Sequence, residues 1–93
     1  MPDDDPQELP LDGTLDLHAF RPDEVKELVH DYLAECRKNG ILQVRIIHGK
    51  GVGALRETVH TVLAREPEVM SFELADELSG GWGATIAVLR SLS

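Results

Sequence analysis

Alternating apolar and polar residues mark short segments of the chain that are typical of strands with one buried face. This alternation runs through 14–18, 42–47 and 69–75, and a last segment, 84–89, is rich in small and branched apolar residues. In the first segment Leu15 and Leu17 share one face, whereas Asp16 and His18 share the other. We therefore expect four strands.

Two segments between these strands have the three- and four-residue apolar spacing of amphipathic helices. Pro22 suits the first position of one helix, and Gly40 suits its end. A second helix is predicted over 54–65, because Pro67 blocks its extension. The apolar stripes are Val25, Leu28, Val29, Tyr32, Leu33 and Cys36 in the first helix, and Leu55, Val59, Val62 and Leu63 in the second.

The predicted order of elements is β-α-β-α-β-β. Each strand-helix-strand connection favours parallel strands and the short final turn favours a hairpin, so the sheet should be mixed. Two helices suffice to cover one side of a sheet of this size. The expected fold is an α/β two-layer sandwich, with a four-stranded mixed sheet and two helices on one face.

Composition divides the chain into a flexible acidic tail over 1–13 and a single domain over 14–91. No apolar run approaches the roughly 20 residues of a membrane span, and the N-terminus lacks the basic and apolar regions of a signal peptide. We therefore expect a cytoplasmic protein without membrane contact. The single cysteine, Cys36, should be a small buried apolar residue.

The net charge of −8 argues against nonspecific coating of nucleic acid, because such binders usually carry a basic face that displaces counterions from phosphates. The charge is uneven, however. The tail carries much of the acid, whereas Arg45, Lys50 and Arg56 cluster around the most glycine-rich loop. A local positive region on an acidic body remains compatible with phosphate binding.

Asp16 and His18 form the first candidate site, at the carboxyl end of a strand and just before a helix, where open α/β sheets gather ligands. A carboxylate two residues from an imidazole can orient it or share a metal ion with it. The alternative is a surface aspartate with a histidine that bonds a loop carbonyl.

A second candidate site is the glycine-rich segment from His48 through Gly49, Lys50 and Gly51, again between a strand and a helix. Glycines let backbone N–H groups approach an anion, and the helix N-terminus and the lysine add positive charge. The segment is too short for a nucleotide-binding Walker loop. The alternative is a tight turn without a ligand.

A third glycine-dense segment precedes the last strand and contains Gly81, Trp82, Gly83 and Thr85. Its missing side chains would allow close backbone contact with a ligand, and the tryptophan could stack on a base. The alternative is a hairpin turn with the tryptophan covering the core. His30 and His60 lie within the predicted helices without a partner motif, which favours structural or merely exposed roles.

Together the three segments resemble the Smr (small MutS-related) domain family. Its pattern is an LDLHG-type strand end, an HGxG loop and a GGxGxT-type segment. The chain has LDLHAF at 15–20, HGKGVGALR at 48–56 and GGWGATIAVL at 80–89. The resemblance implies a two-layer α/β sandwich and a role in nicking DNA or cleaving RNA, including branched or ribosomal substrates. Ala19 stands where the family usually has glycine, which puts efficient cleavage in doubt.

The resemblance places functional positions at Asp16, His18 and His48, which we take as the catalytic residues. Our hypothesis is that one histidine removes a proton from water or an RNA 2′-hydroxyl, the other protonates the leaving oxygen, and Asp16 orients one imidazole. Nucleic-acid or phosphate contacts are expected from Arg45, Gly49, Lys50, Gly51, Arg56, Gly81, Trp82, Gly83 and Thr85. We favour metal-free chemistry, although a magnesium ion on Asp16 is an alternative. The rival function is a non-catalytic module that binds nucleic-acid structure or a ribosome, and a third is a protein-interaction domain that uses the tail.

The sequence leaves the choice between DNA and RNA open, because both present the same phosphates and the one candidate base contact is a tryptophan. The helical stripes are fully used by the expected core, so no spare apolar face indicates self-association. We therefore expect a monomer.

Overall fold

The fold described by the computed structural model covers residues 11–49, 53–75 and 83–92. The strands are β1 (Thr14–Asp16), β2 (Gln43–Ile47), β3 (Val69–Leu74) and β4 (Ala84–Leu89), and the helices are α1 (Val25–Lys38) and α2 (Gly53–Arg65). Two short 3₁₀ turns, Leu17–Ala19 and Pro22–Glu24, connect β1 to α1. The order β-α-β-α-β-β is confirmed.

The four strands form one mixed sheet in the order β1-β2-β4-β3. β1 and β2 are parallel neighbours, with Asp16 opposite Ile47. β4 lies antiparallel between β2 and β3, so β2 and β3 run in the same direction without touching. The predicted parallel crossovers and final antiparallel pair are both present, and the two histidine-bearing strand ends lie side by side.

Both helices pack on one face of the sheet, which gives the predicted two layers. The stripe of α1, the stripe of α2 and the inward side chains of the strands form one core, in which Val29, Leu33 and Val44 have no exposed surface. Cys36 is buried there, as expected. Burying each large aliphatic side chain of this kind contributes about 1.5–3 kcal/mol.

β1 is shorter than the sequence pattern predicts, and the reason is local. The Asp16 carboxylate accepts a hydrogen bond from the backbone N–H of His18 (2.9 Å), which caps the 3₁₀ turn that begins at Leu17 and so ends the strand. Leu17 remains buried, at 1% exposure, as the alternation of apolar and polar residues predicted. The first helix also starts later than Pro22, because its first turn is 3₁₀ up to Glu24.

The end of the predicted acidic tail contacts the folded part of the chain. Leu11 packs against the core, the Gly13 N–H donates to the Tyr32 hydroxyl (3.2 Å), and the Gly13 carbonyl accepts from the Arg45 N–H (2.7 Å). Residues 1–10 of that tail lie outside the described residues. Within the described ranges, neither helix has the length and apolar character needed to cross a bilayer.

Candidate active site

Asp16 and His18 form a hydrogen-bonded pair on the surface at the end of β1. His18 Nδ1 lies 2.8 Å from Asp16 Oδ1, and the two side chains are 64% and 58% exposed. Because a carboxylate accepts, the pair places the proton of a neutral His18 on Nδ1 and leaves a lone pair on Nε2. The hydrogen bond from the His18 backbone amide lowers the pKa of Asp16, followed by the bond from its ring, so Asp16 stays an acceptor.

The free side of His18 lies over Gly49, the second residue after β2. Gly49 has a φ of +87°, and a Cβ at that position would stand 3.1 Å from His18 Nε2. The positive φ therefore favours glycine at this position, and a side chain there would also press on the imidazole of His18. The parallel pairing of β1 with β2 brings these two segments together.

His48, by contrast, is buried, with 4% of its surface exposed. Its Nδ1 lies 3.1 Å from the Gly49 carbonyl and its Nε2 lies 2.8 Å from the Thr85 hydroxyl. Both ring nitrogens are thus bonded within the protein. Burial lowers the pKa of His48, and the charge of Arg56 lowers it further, so the ring is neutral at neutral pH.

A third histidine, the partly buried His60 of α2, extends this hydrogen-bonded cluster. Its Nε2 lies 2.8 Å from the same Thr85 hydroxyl, and its ring stacks at a tilt on Phe72 with centroids 5.1 Å apart. Burial lowers the pKa of His60 as well, with smaller contributions from His48 and Arg56. We call His48, Thr85 and His60 the buried triad.

The bonding partners fix where the protons of the buried triad reside. A carbonyl can only accept, so neutral His48 carries its proton on Nδ1 and its Nε2 accepts from the Thr85 hydroxyl. The hydroxyl oxygen then accepts from His60 Nε2–H. The chain of donors runs from His60 through Thr85 to His48 and ends on the Gly49 carbonyl.

Backbone contacts tie the same turn to β4. The N–H groups of His48 and Gly49 both donate to the Gly83 carbonyl, each at 2.8 Å. The Gly49 amide, predicted to hold a phosphate, is therefore already committed within the protein. The buried triad and Gly83 together hold the turn on which His18 rests.

A family model described as "Smr domain" matches residues 15–90. This span contains the Asp16–His18 pair, Gly49 and the whole buried triad. The chain belongs to the Smr domain family.

Among relatives of this Smr domain, endonuclease MutS2 of Halothermothrix orenii is 46% identical over 78 residues, and that of Symbiobacterium thermophilum is 42% identical over 76. The matches cover 84% and 82% of this chain but 10% of each relative, so the Smr domain spans about a tenth of their length. The name endonuclease refers to these relatives at full length, not to their Smr domains alone.

Two solved structures have the same fold. The Smr domain of Thermus thermophilus MutS2 superposes with a TM-score of 0.77 at 38% identity, over 83% of this chain and 96% of that one. YdaL, a stand-alone small MutS-related protein from Escherichia coli, gives 0.80 at 26% identity, over 92% and 70%. The fold predicted from the resemblance is confirmed.

Other predicted contact residues of the Smr domain lie in different surroundings. Arg45 is in the middle of β2 on the sheet face without helices, where it lines a polar depression with Asp12, Thr14 and Gln43. Thr85 has no exposed surface and bonds two imidazoles, which differs from the predicted phosphate contact. Lys50, Gly51, Gly81 and Trp82 lie outside the described residues.

Sequence reasoning missed His60, whose partner lies 25 positions away in the chain. A single histidine on a helix carries no motif. The available signal was the spacing within α2, because His60 precedes the buried Leu63 by three residues and so lies next to it on the helix surface. That position places it over the sheet rather than in solvent.

Proposed function

We propose that this Smr domain is an endonuclease that cleaves phosphodiester bonds of DNA or RNA, with His18 as its proton-transfer group. The observation that carries the proposal is the exposed Asp16–His18 pair, bonded at 2.8 Å and lying against Gly49. A carboxylate-oriented imidazole with one free nitrogen is the arrangement that general acid–base catalysis needs. The relatives named endonuclease MutS2 support the same reaction class.

In the proposed reaction, His18 Nε2 accepts the proton of the attacking hydroxyl, which is a 2′-hydroxyl in RNA or a water molecule in DNA. The attacking oxygen forms a bond to phosphorus as the bond to the leaving 5′-oxygen breaks. Protonated His18 or water then supplies the proton that the leaving oxygen takes. Asp16 holds the ring in one tautomer and stabilises its charged form during the transfer.

We assign His48 a positioning role in this reaction. Its two nitrogens bond Gly49 and Thr85, and it is 4% exposed, so substrate cannot reach it without the triad opening. Through these bonds His48 fixes the turn at Gly49, against which His18 lies. Arg56, whose charge lowers the pKa of both His48 and His60, adds positive potential at this end of the sheet.

A magnesium ion fits poorly at Asp16. One oxygen of this carboxylate already accepts two hydrogen bonds from His18, from the backbone at 2.9 Å and from the ring at 2.8 Å. Magnesium prefers an octahedron of oxygen ligands. We therefore route no step of the reaction through a metal ion.

A non-catalytic nucleic-acid-binding module is the second candidate. The specific observation in its favour is that one histidine of the predicted pair is buried and bonded, which leaves a single exposed imidazole for both proton transfers. The net charge of −8 also limits electrostatic attraction to phosphates.

Cleavage assays with His18→Ala and His30→Ala separate the two functions. Both variants remove an exposed histidine that is bonded to a carboxylate, but His30 lies on α1 away from Gly49. Labelled single-stranded RNA, supercoiled DNA and branched DNA serve as substrates. The proposal expects loss of about 10²- to 10⁴-fold in rate for His18→Ala and none for His30→Ala, with binding retained by both. Salt-sensitive binding without cleavage by the wild type would favour the binding module.

A further inference from the structure

A second histidine–carboxylate cluster lies at the other end of the sheet. It consists of His30 in α1 and of Glu66 and Glu68, which follow α2. The α2 helix starts beside the histidine site and has 13 residues, so at 1.5 Å per residue its ends are about 20 Å apart. The cluster is therefore separate from the Asp16–His18 pair.

The three side chains converge. His30 Nδ1 lies 2.9 Å from Glu66 Oε2, and one ligand atom from each of the three residues lies within 4.8 Å of the others. A tetrahedral zinc ion, with bonds of about 2.0–2.2 Å, holds its ligand atoms about 3.3–3.6 Å apart. Ligand atoms that are up to 4.8 Å apart would move roughly 1 Å closer together to bind zinc, which rotation of the side chains can provide.

The carboxylates stand on a well-anchored backbone. The Glu66 N–H donates to the Leu63 carbonyl, and the Glu66 carbonyl accepts from the Val69 N–H. The Glu68 carbonyl accepts from the Arg90 N–H at 2.7 Å. Because this turn is fixed to α2, β3 and the end of β4, much of the ordering cost of a metal site is already met.

Glu66 is unusual for an acid in a surface turn, since only 13% of its side chain is exposed. Glu68 on the same turn is also only partly exposed. Two carboxylates held this close together repel each other, and a divalent cation bound between them would relieve that repulsion.

We propose that His30, Glu66 and Glu68 form a zinc-binding site. One imidazole nitrogen and two carboxylate oxygens are ligands that zinc accepts, and three protein ligands leave a fourth position for water. Magnesium and calcium prefer sites made of oxygen alone, so the imidazole selects against them. Bound zinc would join α1 to the turn between α2 and β3 and so stabilise the fold.

Calorimetric titration of the metal-free protein with zinc chloride tests the site directly. We expect one saturable zinc ion per chain and a higher unfolding temperature with zinc present. Because loss of even an outer-shell partner costs roughly 10- to 100-fold in metal affinity, His30→Ala and Glu66→Gln should each weaken binding at least that much. Glutamine has nearly the same shape as glutamate, so Glu66→Gln should retain the fold.

His18→Ala is the matched control, because it removes the other exposed histidine that bonds a carboxylate. It should bind zinc as tightly as the wild type. Absence of saturable binding, equal binding by His30→Ala and Glu66→Gln, or loss of binding in His18→Ala would each overturn the proposal. Magnesium chloride binding as tightly as zinc would overturn the choice of metal. None of these readouts involves cleavage, so the nuclease proposal stands or falls separately.

Discussion

The two histidine systems of this site use hydrogen bonds of the same length in opposite surroundings. His18 bonds Asp16 at 2.8 Å with 64% of its side chain exposed, whereas His48 bonds Thr85 at 2.8 Å with 4% of its surface exposed. His18 keeps one ring nitrogen free, whereas both ring nitrogens of His48 are hydrogen-bonded within the protein. A histidine in a motif is thus a candidate for proton transfer only if a nitrogen remains accessible, and here that criterion selects His18.

Gly49 connects the two systems, so Gly49→Ala should lower both the stability of the fold and the rate of cleavage. Its φ of +87° costs an alanine about 1–2 kcal/mol of folding free energy. The new Cβ would also stand 3.1 Å from His18 Nε2 and displace the ring. Because small misplacements of a catalytic group are costly, we expect cleavage to fall on the order of 10- to 100-fold. Thermal unfolding and cleavage rates measure the two effects.

Gly40→Ala is the control for backbone strain. Gly40 has a φ of +76°, and an added Cβ there meets nothing within 4 Å. This variant should lose about 1–2 kcal/mol of stability in the same way and cleave at the wild-type rate. Equal cleavage by the two alanine variants would mean that contact between Gly49 and His18 is unimportant.

Thr85→Val tests the buried triad, because valine keeps the shape and removes the hydroxyl between two imidazoles. Leaving these buried nitrogens without a partner should cost about 1–3 kcal/mol in the free energy of unfolding. Denaturant titration measures the loss, and nitrogen NMR reports whether His48 keeps its proton on Nδ1.

Two further variants sharpen that result. Thr85→Ser keeps the hydroxyl and should keep the His48 tautomer. Thr58→Val removes a hydroxyl that bonds only the Ala54 carbonyl on the exposed side of α2, and should change stability little. A Thr85→Val protein as stable as the wild type, with an unchanged His48 signal, would show that the hydroxyl does not bridge the two rings.

The fold was more predictable than the site. Period-two and helical spacing are local signals, so β4 and the stripe of α1 could be predicted from neighbouring residues. The Asp16–His18 bond is also local, at two residues' separation. The contacts of Thr85 with His48 and His60 span 37 and 25 positions and depend on β4 lying beside β2, which the sequence pattern does not specify.

Lowering the pH should reduce the stability that His48 and His60 contribute to the fold. The pKa values of His48 and His60 are lowered from 6.5 in the folded protein, so the unfolded chain takes up protons first as the pH falls. Their contribution to stability is complete above pH 6.5 and is lost as the pH falls towards the folded pKa values. His30 and Glu66 have raised pKa values and act in the opposite direction.

A reference protein with His30→Ala and Glu66→Gln therefore isolates the contribution of His48 and His60. Its free energy of unfolding, measured by denaturant titration, should fall between about pH 7.5 and pH 5.5. Adding His60→Gln, whose amide can still donate to Thr85, should flatten that profile because one titrating group is gone. A reference protein that gains stability over this range would contradict the burial argument.

The smallest effect is expected at Ala19, the residue after the exposed His18. It is exposed in the 3₁₀ turn, and no non-glycine residue in the described ranges has a positive φ, so alanine fits this backbone without strain. Ala19→Gly should cost roughly 0.5–1 kcal/mol or less, because glycine gains backbone freedom in the unfolded chain. Cleavage should change little, since the hydrogen bonds that orient His18 come from Asp16 and do not involve the side chain of Ala19. Cleavage rates under single-turnover conditions check this. A marked acceleration would show that substrate approach, rather than the orientation of His18, limits the exposed pair.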